Sequence, residues 1–355
     1  MPAVSVDTFF ACSLMVMLVL SAMAITTKLV FPSMNATSNR NLAERYKETS
    51  KYLLLNTGKP SNWGQDSQTT PETFGLAKPN ADSEYDLDRD KVSRLNTENA
   101  YAVSYPDIFT SLEMSDLSFR IKIEPVFKVS TKLAGAFLSG DDTVYEFEIS
   151  TDKQGAPVSA QLKIHVVAGE YLNSISVLVT NGRISQNITL PNSVSGPALL
   201  IVFAHSLYND KIVSFDVLAF AHNSSQPNSR GALLRSSPLN YNLNVSLLDS
   251  RIVLANAYAL TFSYNSTLLL TSNATMSATY AIPRFLDDSM TVLVVTGSNS
   301  TAFFTEWTTY PQIPVENGPD LANLSTLSSV FSFKYLVTID SAIYECTILV
   351  GGPEE

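Results

Sequence analysis

Residues Ser118–Glu124 read SFRIKIE, with an apolar side chain at every second position. A period of two residues is typical of a half-buried β-strand, because successive side chains of a strand point to opposite faces of the sheet. The stretch Thr143–Ile149 (TVYEFEI) repeats this alternation just after a Gly-Asp-Asp turn. The sequence therefore predicts β-structure from about Leu117 onward.

Two β-domains are predicted in this part of the chain. Seven or so short strands within 116–222, separated by turn residues, favour an immunoglobulin-like sandwich, although the Cys–Trp–Cys core of antibody domains is missing. The segment 223–238 is rich in Ser, Asn, Pro and Gly, as interdomain linkers are. More strand-like segments over 239–355 predict a second β-rich domain. We therefore expect a mainly β fold with two β-sandwich (immunoglobulin-like) domains.

The N-terminal end of the chain is apolar. Phe9–Ile25 reads FFACSLMVMLVLSAMAI and contains no charge, and a helix of about 20 such residues spans a bilayer core. We expect a single membrane segment around Leu18, and a retained anchor is one interpretation. A cleavable signal peptide is another, since Ala22–Ala24 offers an A-x-A site, although no Lys or Arg precedes the run. A buried core helix is the third.

A stalk helix is predicted next, over Asn39–Leu55. One stripe of a 3.6-residue period falls on Leu42, Tyr46 and Leu53, and charged residues occupy the other faces. Pro32 is expected to kink or interrupt the helix between the anchor and the stalk. These segments define an anchor and stalk over 1–57 and a small mixed helical and loop region over 58–115.

A particular succession of residues begins in the stalk. Arg45–Gly64 reads RYKETSKYLLLNTGKPSNWG, Phe74–Ala77 reads FGLA, and Asp86–Leu95 reads DLDRDKVSRL. The order Tyr, Leu-Leu, Thr-Gly-x-Pro, Trp, then Gly-Leu-Ala, then Lys-x-x-x-Leu at Lys91 and Leu95 resembles a group of archaeal membrane-anchored, pilin-like surface proteins. The resemblance extends over roughly the first 125 residues. It implies an N-terminal membrane helix, with Trp63 at the junction between stalk and domains.

The resemblance has a gap at the N-terminus. Type IV prepilins carry a Lys/Arg-Gly or Lys/Arg-Ala cleavage site before the apolar helix, and this chain has none there. Asp7 stands where pilins place an acidic residue that pairs with the N-terminus of a neighbouring subunit. We favour the simpler interpretation that Asp7 caps the start of the helix. Membrane anchoring is thus expected, while self-association or assembly with other pilin-like subunits stays open.

The composition favours an extracellular surface. The chain of 355 residues has a net charge of −10, which disfavours binding to nucleic-acid phosphate. Its polarity comes from 98 Ser, Thr and Asn residues against 56 charged ones. Composition alone produces some glycosylation sequons, but their number favours a glycosylated exterior. The eight Asn-x-Ser/Thr sequons are at Asn35, Asn187, Asn223, Asn244, Asn265, Asn273, Asn299 and Asn323.

The charges that flank the apolar run bear on its orientation in the membrane. Lys and Arg follow the apolar run and none precedes it, and the positive-inside tendency would therefore keep the rest of the chain inside the cell. Long domains translocate largely regardless of such charges. Together with the sequons, this favours a location in the cell membrane with the bulk of the chain extracellular.

Catalytic and metal-binding patterns are not found in the sequence. His165, His205 and His222 have no metal-ligand spacing, and a structural role is expected for each. The chain contains no G-x-S-x-G motif. Cys12 and Cys346 are expected to pack as small apolar residues. We therefore assign no catalytic, cofactor-binding or metal-binding residue.

An acidic triplet and the two tryptophans have structural interpretations. Asp86, Asp88 and Asp90 resemble the start of a calcium loop, but Lys occupies the sixth position and Thr the twelfth, which excludes an EF-hand. We expect these carboxylates to form a solvated first turn of a short helix. Trp63 and Trp307 are expected to be core or interface anchors.

The sequence thus predicts a single-pass cell-surface structural or interaction protein, either a minor component of a surface filament or an envelope adhesin. The lipid bilayer would be its partner through the N-terminal helix. A glycan- or solute-binding envelope module is the main alternative, and a cluster of aromatic residues on one sheet face would favour it. An extracellular hydrolase is a further alternative, and it would need a Ser, a His and an acid in one cleft.

Overall fold

The computed structural model describes residues 3–114, 117–194, 196–227, 230–285, 290–300, 302–321 and 327–353. Within the long N-terminal helix, side chains are described for 10–23 and 41–55. The chain divides into two compact units, Met1–Lys51 and Tyr52–Glu355. The first unit is helical, and the second contains all the described β-strands.

Three α-helices are present among the described residues: α1 (Ala3–Leu55), α2 (Arg89–Ser93) and α3 (Tyr105–Ser111). The predicted end of the stalk helix at Leu55 is confirmed. Of the kink or interruption predicted at Pro32, the interruption is wrong, because α1 runs through this position, and the kink stays a prediction. A proline removes one backbone N–H, and a helix of 53 residues retains its other hydrogen bonds. In the described part of the helices, no segment is long and apolar enough to cross a membrane.

The β-strands fill most of the chain after Leu117, which confirms the predicted mainly β character. In the first half they are β1 (Asp86–Leu87), β2 (Ser118–Pro125), β3 (Lys128–Ser139), β4 (Asp142–Lys153), β5 (Ala156–Pro157), β6 (Ala160–Ala168), β7 (Tyr171–Val179), β8 (Arg183–Pro191), β9 (Ala198–Ser206) and β10 (Val213–Phe220). In the second half they are β11 (Leu234–Leu239), β12 (Asn242–Leu247), β13 (Ile252–Leu260), β14 (Asn265–Thr267), β15 (Leu269–Ala274), β16 (Ser277–Ala281), β17 (Thr291–Asn299), β18 (Ala302–Tyr310), β19 (Val315–Asn317), β20 (Leu327–Ile339) and β21 (Ala342–Pro353).

These strands form five sheets. Sheet 1 has the order β1-β20-β21-β2-β19 and is antiparallel apart from the β1–β20 pair. Sheet 2 is built around β4, which pairs with β3, β5 and β8. Sheet 3 has the order β10-β9-β6-β7, sheet 4 the order β14-β13-β17-β18, and sheet 5 the order β11-β12-β16-β15.

Sheet 2 packs face to face on sheet 3, sheet 3 on sheet 4, and sheet 4 on sheet 5. One core lies between sheets 2 and 3, and includes Phe147 and Val202. A second core lies between sheets 4 and 5, and includes Tyr280 and Leu293. A third cluster joins the remaining faces of sheets 3 and 4. Sheets 3 and 4 are therefore covered on both faces, which explains the continuous apolar runs in β9 and β17.

The strand pairing departs from the sequence-based domains in two places. The strand that opens the predicted first sandwich, β2, pairs with β21 at the other end of the chain, with Ile123 opposite Cys346. The last five residues of the predicted linker, from Leu234, belong to β11 and pair with β12. Pairing between residues far apart in sequence leaves no local pattern, so periodicity alone assigned β2 to its nearest neighbours.

Candidate functional site

The residues that carry the resemblance to pilin-like proteins meet around α2. Asp88 caps this helix, because its Oδ1 accepts hydrogen bonds from the backbone N–H groups of Asp90 and Lys91, both at 3.0 Å. Every residue of α2 is buried. The predicted solvated first turn is wrong: Asp86, Asp88 and Asp90 are only 8%, 6% and 5% exposed. We use the name hub for α2, for Asp88 and Arg94 at its two ends, and for the residues that these side chains contact.

Lys91 is the centre of the hub. Its side chain is fully buried, and its Nζ donates to the carbonyl oxygens of Thr57, at 2.9 Å, and Ala77, at 2.7 Å. Burial lowers the pKa of this ammonium group to about 8. Gly64 lies directly against it, since a Cβ at this position would be 2.6 Å from the Lys91 side chain. Lys91 thus ties together the Thr-Gly-x-Pro and Gly-Leu-Ala segments.

Trp63 forms the second connection of the hub. It is fully buried, as expected of a core anchor, and its Nε1 donates to the carbonyl oxygen of Gly75 at 3.1 Å. The Arg94 guanidinium lies 5.5 Å from the centre of its ring and donates to the Trp63 carbonyl oxygen. Leu76 N–H donates to the carbonyl oxygen of Leu53 at 2.9 Å, which joins the end of α1 to the same segment.

The other side of α2 contacts the sheets. Arg89 forms an ion pair with Asp340 in the β20–β21 turn, and it lies 4.8 Å from the centre of the Tyr310 ring. Asp90 Oδ1 accepts hydrogen bonds from the Tyr310 hydroxyl at 2.7 Å and from Asn240 N–H at 2.9 Å. Burial nevertheless raises the pKa of Asp90 to about 6. The hub therefore connects sheet 1 with the packed sheets 4 and 5.

The chemistry of the hub is structural. The charged groups of Arg89, Lys91, Arg94, Asp88 and Asp90 bond to backbone groups or to the side chains of Asp340 and Tyr310. Asp86 Oδ1, in contrast, is buried and has no hydrogen-bond partner among the described residues. Among the described residues, no group of three or more His, Cys, Asp and Glu side chains is placed to hold a metal ion. Sequence reasoning missed the burial of Arg89, Asp90 and Arg94, and only the capping position of Asp88 gave a readable signal.

An exposed apolar surface on α1 is the next feature of the structure. The side chains at 10–23 are all exposed, and none is charged. Their exposed fractions include 66% for Phe10, 61% for Leu18 and 64% for Met23, on all sides of the helix. Tyr46 and Leu53, predicted on the stalk stripe, are both buried. The side chains of Asp7 and Pro32 lie outside those described, and Cys12 is exposed within the apolar segment.

The histidines occupy three separate structural positions. His165 is fully buried and its Nε2 bonds the carbonyl oxygen of Thr261 at 2.9 Å, and burial lowers its pKa to about 4. His205 stacks on Phe262 with 3.8 Å between ring centres. His222 contacts the Tyr145 hydroxyl through Nδ1 at 2.9 Å. Cys346 is buried in β21.

The sequons differ in their surroundings. Asn187, Asn265 and Asn273 are exposed on strands, whereas Asn244 and Asn299 are half-buried. The backbone of Asn35 belongs to α1 but its side chain lies outside those described, as does all of Asn323. Asn223 is exposed, yet its Nδ2 donates to the carbonyl oxygens of Asn192 and Val194 at 2.7 and 2.8 Å.

Trp307 is half-buried on β18 and contacts Phe215 of sheet 3 edge to face, with 6.4 Å between ring centres. It therefore lies between two sheets, where an interface anchor is expected.

Comparison of the chain with models of known protein families and with curated protein sequences finds no match.

Proposed function

We propose that this chain is a single-pass cell-surface structural or interaction protein, held in a membrane by the apolar part of α1. The observation that carries the proposal is the stretch 10–23, which is helical, uncharged and exposed on every side. A helix that is apolar all round is stable only in apolar surroundings, which lipid or other helices provide. The apolar run of the sequence extends further, from Phe9 to Ile25.

In this proposal the β-rich unit is two β-sandwich, immunoglobulin-like domains on the extracellular side. The two cores between sheets 2 and 3 and between sheets 4 and 5 support two sandwiches. The hub supports a pilin-like role, because it is built from the residues that carry the resemblance. Its buried bonds fix the segments after α1 against the sheets, as a protein that bears load between a membrane and its surroundings requires.

Fractionation of cells that produce the full chain tests the proposal. We expect the protein in the membrane fraction after an alkaline wash, and we expect added protease to digest the β-rich unit on intact cells. The double variant Leu14→Lys/Leu18→Lys should release the protein. A matched control is Leu269→Lys/Leu270→Lys, an exposed apolar pair on β15, which should stay in the membrane.

Release of the unaltered chain by the wash would refute membrane anchoring. Electron microscopy of sheared surface material separates the two forms of the proposal. Fibres that contain this chain indicate a filament component, whereas complete retention in the membrane as a monomer indicates a lone adhesin.

A further inference from the structure

A groove lies where sheets 1 to 4 approach one another. Its larger part is a cavity of about 550 Å³, lined by β2 and β21 of sheet 1, β3 and β4 of sheet 2, β10 of sheet 3 and Trp307 of sheet 4. Ligand sites in proteins have volumes of roughly 300–1,000 Å³, so this cavity is large enough for a small molecule or for part of a polymer.

The groove continues past a stacked pair of side chains. The Arg230 guanidinium lies 4.4 Å from the centre of the Trp307 ring. A second cavity of about 320 Å³ is lined by the same two residues together with Glu98, Asn99 and Arg235. Because the cavities share Arg230 and Trp307, a ligand longer than one ring can cross this pair and occupy both. The shape therefore fits an elongated molecule.

The acidic side chains that line the groove have bonding partners, whereas three of the basic ones form no ion pair within the described part of the chain. Each lining carboxylate already has a partner: Glu124 has Lys122, Glu345 has Lys334, Glu98 has Arg230, Glu306 has the N–H groups of Gly231 and Leu233, Asp216 has Thr131 N–H, and Asp152 has Gly155 N–H. Lys128, Lys153 and Arg235 are exposed and form no ion pair with any described residue. The groove thus offers Lys153, Arg235 and Lys128 to an anionic ligand, and the charge of Lys128 also acts on Asp216 in the same cavity.

The net negative charge of the protein limits how much negative charge the ligand can carry. A net charge of −10 repels a polyanion with one phosphate per unit, as in nucleic acid. A short saccharide with one carboxylate per ring suits the groove better, because the three carboxylates of a trisaccharide do not outnumber the three cations of the groove. Its ring faces can lie against the Arg230–Trp307 pair, and its hydroxyl groups can donate to the lining carboxylates, which keep free lone pairs.

We propose that this groove binds an acidic saccharide, which packs against Trp307 and Arg230 and pairs its carboxylates with Lys128, Lys153 and Arg235. Binding does not depend on membrane anchoring, so the inference goes beyond the proposed function and is tested separately from it.

Isothermal titration of the full chain in detergent tests the proposal, with trigalacturonate as the probe. We expect binding that weakens with added salt, and at least about tenfold weaker binding of the fully methyl-esterified trisaccharide, which has the same rings without charge. Trp307→Ala should weaken binding about tenfold. Lys128→Gln and Lys153→Gln should each weaken it about two- to fivefold, since these are exposed charges.

Lys132→Gln is the matched control, because Lys132 is exposed on the same strand as Lys128 but does not line the groove. It should leave binding unchanged. The proposal is overturned if trigalacturonate does not bind, if the methyl ester binds equally well, or if a single-stranded hexathymidylate binds more tightly. If Trp307→Ala does not fold, the Lys128→Gln/Lys153→Gln double variant decides, and unchanged binding by it overturns the proposal.

Discussion

The Nζ of Lys91 lies 2.7 Å from the carbonyl oxygen of Ala77, in a site from which solvent is excluded. A second carbonyl oxygen, that of Thr57, accepts from the same ammonium group at 2.9 Å. The charge is therefore solvated by backbone dipoles rather than paired directly with a carboxylate. Such a lysine holds two loops together at the cost of its own desolvation.

Substitution Lys91→Met should destabilise the protein by about 2 kcal/mol at pH 7, because two buried carbonyl oxygens lose their donor while the stem of the side chain is kept. The measurement is the midpoint of urea unfolding. Lys78→Met, at an exposed position close in sequence, is the control and should change the midpoint little. Equal midpoints for Lys91→Met and the unaltered chain would contradict a structural role for this ammonium group.

The stability of the unaltered chain should rise between about pH 8 and pH 10.5 through Lys91. In the folded state its pKa is lowered to about 8 from 10.5, so in this range the unfolded chain binds a proton that the folded chain does not. Raising the pH then favours the folded state, by up to about 3 kcal/mol. Unfolding curves from pH 7 to 10 measure the effect. The slope attributed to Lys91 should be missing from Lys91→Met.

Asp90 should give the opposite slope at acidic pH. Its pKa in the folded state is raised to about 6 from 3.8, so between these values the folded chain holds the extra proton. Stability through this group is fully present below pH 3.8 and is lost as the pH rises to 6. Asp90→Asn keeps an acceptor for Tyr310 and removes the titration. Its unfolding free energy should vary less between pH 4 and 6 than that of the exposed-site control Asp210→Asn.

Gly75 in the hub and Gly135 outside it provide a paired test of packing. A Cβ on Gly75 would be 2.2 Å from the carbonyl oxygen of Asn56, a backbone atom that cannot move aside freely. A Cβ on Gly135, at the bulge in β3, would have no neighbour within 4 Å. Gly75→Ala should cost about 3 kcal/mol or more, and Gly135→Ala less than about 1 kcal/mol. Thermal unfolding compares the two, and a similar loss in both would refute the close approach.

The sequons should differ in use. Asn187, Asn265 and Asn273 are exposed on strands and should carry glycans in the native protein. Asn223 should not, because its Nδ2, the atom that a glycan would occupy, is bonded to two carbonyl oxygens. Mass spectrometry of glycopeptides measures occupancy at each site. Full occupancy at Asn223, or none at the three exposed sites, would contradict this assignment.

The sequence predicts the β-class because alternation is a local property, and strands such as β2 and β4 show it clearly. The end of α1 is also predictable, since Gly58 with φ +72° follows it closely. Two features were beyond such reasoning. The pairing of β2 with β21 depends on contacts far apart in sequence. The burial of Asp90 depends on Tyr310 and Asn240, and a charged run by itself indicates solvent.

Sheets 3 and 4 are covered on both faces, so substitutions in β9 or β17 must preserve two cores at once. In the described parts of sheets 2 and 5, the outward side chains of β4, β8, β12 and β16 are exposed or half-buried, so polar positions there can change without disturbing any core. A protein built in this way can diversify what it presents to its environment through its outer sheets alone. We therefore expect rapid divergence among relatives to be confined to the outward positions of β4, β8, β12 and β16.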